Sequence, residues 1–132
     1  MRIDLINPPN LHEPFDNLYA QIVRAEGRYV YRISGQVSIN EKRENIGKSD
    51  MKEQLRIVYD MVTRALKAVN LTWANVIHIY TFTTNMDEYM KYEKPIAKAA
   101  FGEKPPASTL VEVSRLVDPD WLVEVQVDAV GD

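Results

Sequence analysis

Two runs near the C-terminus hold the residues best suited to chemistry. In Lys104-Pro105-Pro106-Ala107-Ser108-Thr109-Leu110-Val111-Glu112-Val113 two adjacent hydroxyls precede a carboxylate, and in Leu122-Val123-Glu124-Val125-Gln126-Val127 a second carboxylate alternates with valines. Strict alternation is a strand pattern, so each run sets valines on one face and a glutamate on the other. A carboxylate within reach of water in a partly desolvated cleft can serve as a general base. Ser108 and Thr109 can hydrogen-bond a ligand. Ser108 is not expected to be a nucleophile, because neither His12 nor His78 has a sequence context that sets it beside Ser108 as a base. His78, flanked by Ile77 and Ile79, reads as a structural strand histidine.

Composition removes other chemistries. The 132 residues include no cysteine and only two isolated histidines, so no disulfide framework, thiolate chemistry, metal site or cofactor is expected. Net charge is −3, with Lys and Arg scattered. Phosphate-backbone binding needs a concentrated positive field, so nucleic acid is not an expected partner. Met1 to Ile6 is acidic within four residues and has no long apolar run, which predicts no signal peptide, no membrane segment and a cytoplasmic home.

The elements that must position these residues are legible in outline, within one domain over 1–132. A first strand is predicted over 2–6, followed by a proline-rich loop through Pro14. Segments 20–25 and 28–34 read as a hairpin joined at Glu26-Gly27. Asp50 with Glu53 three residues on is a capping-box signature, and the apolar positions from Leu55 to Val69 predict a helix over about 50 to 69. Residues 76–84 read as a strand. Asn85 with Glu88 opens a second helical segment toward Phe101, which Pro95 should kink or divide. The expected fold is α+β, a single mixed sheet with two helices on one face. The other face carries tyrosines and valines as well as charges, and a partner subunit is its expected cover.

Tyr19-Ala20-Gln21, Ser34-Gly35-Gln36, Thr83-Thr84-Asn85-Met86-Asp87, Phe101-Gly102, Pro105-Pro106-Ala107, Thr109-Leu110-Val111-Glu112-Val113 and Leu122-Val123-Glu124-Val125 resemble the Rid family in order and spacing, over about residues 19 to 129. These are the YjgF-like reactive-intermediate deaminases, also labelled endoribonuclease L-PSP. The resemblance implies a chorismate-mutase-like subunit, a homotrimer whose sheets form a central barrel, and small-molecule clefts between subunits. It implies hydrolysis of enamines and imines to ketoacids and ammonia. Glu124 matches the acid taken to activate water, Tyr19 matches a tyrosine lining the cleft, and Gly35 matches a position where backbone approaches the ligand. Each has a plainer reading: Glu124 paired with Arg32, Arg115 or a neighbouring subunit's base, Tyr19 packed under the proline-rich loop, Gly35 simply ending a strand.

One departure bears on substrate. The family arginine that clamps a substrate carboxylate aligns with Ser108, so a bidentate charged contact gives way to a neutral hydroxyl. That exchange costs a carboxylate ligand about 1.5–3 kcal/mol. Arg32 shares a face with Ser34 and is a candidate to replace the lost guanidinium; its rival reading is an ion pair with Glu112 or Glu124. The function expected is hydrolysis of an imine, enamine or related C–N compound other than the standard imino acids. The alternative is a binding or regulatory trimer without turnover.

Overall fold

The long helix shows how the chain builds its core. Asp50 takes extended backbone and its Oδ1 accepts from Glu53 N at 3.0 Å, capping α1 (Met51–Ala68). Glu53 does not reach back to complete a box; its carboxylate accepts from Arg56 Nε instead. Leu55, Val58, Val62 and Leu66 form a fully buried stripe at helical spacing. Each contributes on the order of 1.5–3 kcal/mol by leaving water. They meet Val123, Val125, Val127 and Ala129 of the last strand, also fully buried.

The computed structural model describes all residues 1–132. It contains β1 (Arg2–Ile6), β2 (Ile22–Glu26), β3 (Tyr29–Gln36), β4 (Val76–Thr83), α2 (Met86–Met90), α3 (Glu93–Phe101), β5 (Ala107–Glu112) and β6 (Val123–Gly131). Four strands form a mixed sheet in the order β3-β6-β4-β5, with β6 antiparallel to both neighbours and β4 parallel to β5. The α2–α3 crossover makes the parallel pairing possible. All three helices contribute to the core on one face of the sheet.

Three expectations need correction. β2 does not pair with β3: it pairs with β1, in register from Arg2↔Glu26 to Ile6↔Ile22, while β3 joins β6. Period-2 alternation marks a strand but not its partner, and at Gly27 the chain passes from one sheet to the other. The sheet is therefore not single, since β1 and β2 form a separate ribbon, tied to the β5 entry by Ala20 N donating to Pro106 O at 3.0 Å. The helices number three, because the segment after Asn85 divides. Pro95 is the third residue of α3, where a backbone N–H would have no intrahelical acceptor, so the ring is accommodated without a kink.

Gln54 joins the site's scaffold together. Its side chain is nearly inaccessible, and Nε2 donates to Gly47 O (3.2 Å) and Asp120 O (2.9 Å) while Oε1 accepts from Leu122 N (2.9 Å). One amide thereby ties the loop before α1 to the turn that launches β6. Gln54→Leu leaves buried backbone groups without partners, and we expect a loss of about 3 kcal/mol in urea unfolding; a loss under about 1 kcal/mol would show that the turn is held by other contacts.

Candidate functional site

Pleating decides which strand residues can meet. Val123, Val125 and Val127 face the helices, so Glu124, Gln126 and Asp128 face the open side of the sheet, with His78, Tyr80 and Phe82 of β4 and Thr109 and Val111 of β5 on the same side. Ser108, Leu110 and Glu112 take the helix side. The two strand carboxylates thus point to opposite faces. Glu112 is structural: its Oε1 accepts from Met86 N at 2.8 Å.

Glu124 is seated by a glycine. A register irregularity between Ile33 and Gln36 brings Gly35 over it, and a Cβ on Gly35 would overlap Glu124 Oε2 and lie 2.7 Å from Cδ. The space a side chain would fill holds the carboxylate. No protein group hydrogen-bonds or pairs with Glu124, and burial raises its pKa above the usual glutamate value. Within the chain neither arginine pairs with Glu124: Arg32 lies 3.7 Å from Asp128 with a largely exposed side chain, and Arg115 donates to Leu116 O and Val117 O. Asp128 Oδ1, opposite His78, is the one buried side-chain polar atom without a partner.

Tyr19 and Ser108 meet in a different place. They line a cavity of about 330 Å³ with Phe15, Leu18, Leu110, Met90 and Glu93. Tyr19 contacts the proline-rich loop through His12: its hydroxyl lies 2.7 Å from His12 Nε2 with the two rings edge-on, and Gln21 Nε2 holds the histidine by donating to its carbonyl at 2.8 Å. Thr109, adjacent to Ser108 in sequence, faces the open side and its Oγ1 lies 3.3 Å from His78 Nε2. Within one chain, then, Tyr19 and Ser108 form one group, Gly35 and Glu124 another, and Arg32 and Thr109 belong to the open face rather than to the Ser108 cavity.

Glu93 and His12 escape sequence reasoning. Glu93 reads as an ordinary first-turn acid, and His12 sits in a loop with no periodicity to assign its direction. Glu93 is the more consequential, since burial raises its pKa and no cation of the chain pairs with it. A larger groove, about 780 Å³, lies between the β1–β2 ribbon and the end of α3. It contains none of these residues and is lined mainly by apolar side chains, with Thr72, Glu103 and Lys104 its polar ones.

The family model for endoribonuclease L-PSP matches residues 12–131. The chain belongs to that family, the Rid or YjgF-like proteins. It is 34% identical over 108 residues to a RutC family protein of Pyrococcus horikoshii, covering 82% of each chain. A RutC family protein of Sulfurisphaera tokodaii is also 34% identical, over 83% of this chain and 84% of that one. In fold, the chain superposes on the Rid family protein YyfB of Yersinia pestis with a TM-score of 0.90 at 23% identity, over 98% of this chain and 99% of the other. Membership places its role within small-molecule deaminase or endoribonuclease-type chemistry. No helix is long and apolar enough to cross a membrane.

Two outcomes follow from this geometry. Gly35→Ala should displace the Glu124 carboxylate while leaving the fold in place, because the atoms it strikes, Oε2, Cδ and Cγ, all belong to one flexible side chain; a melting temperature near wild type with altered carboxylate titration by NMR is expected, and an unchanged Glu124 titration would refute the contact. The raised values of Glu93 and Glu124 mean that the folded chain binds their protons more tightly than the unfolded chain does. Their contribution therefore favours folding at low pH and is lost as pH rises from the ordinary value of 4.5 through the raised values. Glu93→Gln and Glu124→Gln should each flatten that decline in urea unfolding across a pH series; a wild-type slope in both would contradict the assignment.

Proposed function

We propose that the protein is a small-molecule hydrolase of imine, enamine or related C–N substrates, with Glu124 as the general base and Tyr19 and Ser108 as substrate contacts. The observation that carries this reading is the unpaired, half-buried Glu124 carboxylate seated against Gly35. A protonated imine carbon accepts the oxygen of a water whose proton passes to Glu124. The resulting carbinolamine takes that proton on nitrogen, Glu124 accepts the hydroxyl proton as the C–N bond breaks, and a carbonyl compound and ammonia leave, the ammonia taking up that proton as ammonium. General-base assistance of this kind contributes about 10²–10⁴-fold.

The reading requires two copies of the chain. Ser108 and Glu124 face opposite sides of one sheet, so a single chain cannot present both to one ligand. The open face, with Val30 62% exposed and Val111 39% exposed, offers apolar surface for a neighbour. A homotrimer, with these faces around a central barrel, brings the Tyr19–Ser108 cavity of one copy beside the Gly35–Glu124 seat of the next. Ser108 at the position of the family arginine supports an activity directed away from carboxylate-bearing imino acids and the reading of an arginine-lacking branch. It also motivates the second reading, a binding or regulatory trimer without turnover, with a ligand recovered unchanged. RNA cleavage is disfavoured by the net charge of −3.

The test follows ammonia release from a ketimine lacking a carboxylate and from 2-aminoacrylate generated in situ. Faster hydrolysis of the former, lost in Glu124→Ala, is expected. Glu124→Ala and Ser108→Trp should each be inactive alone, yet co-refolding them should restore about a quarter of the activity, because a quarter of random interfaces pair two intact halves. No acceleration over buffer, or a failure of mixed chains to recover, would remove the shared-cleft hydrolase.

A further inference from the structure

Glu93 changes what the Tyr19–Ser108 cavity is built to hold. It begins α3, facing a space of about 330 Å³, the lower end of the range for small-ligand sites and enough for a ligand of about one ring. None of the chain's hydrogen bonds or ion pairs uses its carboxylate, and its oxygens are not sealed from the cavity, since the only such buried orphan is on Asp128. The nearby lysines are committed elsewhere: Lys94 pairs with Asp16 at 3.3 Å and Lys91 with Glu88 at 2.8 Å. A partly desolvated carboxylate without a cation is costly to keep. A ligand cation removes that cost.

The rest of the lining agrees. Phe15 and Met90 are 72% and 54% exposed at the cavity, a large apolar surface that nothing else in the chain covers. Tyr19 adds a second aromatic ring, and aromatic faces attract cations. Ser108 supplies a neutral hydroxyl where a guanidinium would repel one. Among the lining residues a carboxylate ligand would meet one acid and no base, His12 standing behind the Tyr19 hydroxyl.

We propose that this cavity selects a small apolar ligand bearing a cationic nitrogen, a protonated amine or iminium, through a charge-assisted hydrogen bond to Glu93. The inference rests on the reading of the cavity as a substrate site but not on turnover. It specifies the C–N substrate as one recognised by its nitrogen rather than by an acid group. Glu93 is then a specificity residue for the charged nitrogen, and Ser108 is the substitution that makes room for that preference.

Titration of the intact protein with benzylammonium, benzyl alcohol and benzoate at about pH 8, well above the ordinary carboxylate range and below that of a primary amine, tests this by calorimetry. Benzylammonium should bind at least about tenfold more tightly than benzyl alcohol, the factor expected of one charge-assisted bond, and benzoate least. Glu93→Gln should abolish the preference while leaving benzyl alcohol unaffected. Ser108→Arg, at an exposed edge-strand position, sets a fixed cation beside Glu93 and should abolish it by a second route. Benzoate binding as tightly as benzylammonium, a preference that survives both substitutions, or binding of none of the three overturns the proposal. Imine hydrolysis without cation preference sinks this inference alone, whereas cation binding without hydrolysis sinks the hydrolase reading alone.

Discussion

Every residue of interest takes its direction from the burial of one face of β6. Val123, Val125, Val127 and Ala129 are fully withdrawn from water against α1, and a one-residue slip would expose all four at once. The cost of that slip holds the register, and the register holds Glu124 and Asp128 on the open face. Because β6 lies between β3 and β4, it also sets what stands beside Glu124: Gly35 on one side and Phe82 on the other. Gln54 extends the same constraint to the chain entering β6 by bonding Leu122 N from inside the core.

Upon this frame the protein leaves two partly buried carboxylates without partners while others of similar burial are paired. Asp4, Glu53 and Glu88 all have basic partners that hold their carboxyls below the usual range. Glu93 and Glu124 have none, and burial drives them the other way. Exposed ion pairs contribute little, whereas unpaired acids in desolvated places cost free energy. Such expense at two positions, one in a cavity and one on a glycine seat, marks where ligand chemistry can compensate. The two acids suit different tasks: Glu124 can polarise water, while Glu93 can meet a positive charge.

Much of the fold was legible because it depends on local rules. The capping role of Asp50, the helical stripe from Leu55 to Leu66, the β-branched run of β4 and the interruption near Pro95 all appear in short windows of residues. The family motifs likewise lie in order along the chain. Pairing partners were less accessible. The alternation in β2 and β3 resembles a hairpin, yet the hydrogen bonds go to β1 and β6, because long-range burial rather than proximity along the chain selects the partner.

For the candidate site, residue types and spacing established that Glu124 and Ser108 stand on strands, that serine rather than arginine follows Ala107, and that the chain has no cysteine. Three-dimensional packing alone assigned them to opposite faces, separated Thr109 from Ser108, gave Arg32 to Asp128, and brought Glu93 and His12 to Tyr19. The physical reason is that strand alternation defines two faces without saying which one the helices will cover. Only the long-range contact between β6 and α1, together with the register of β4 and β5, removes that degeneracy.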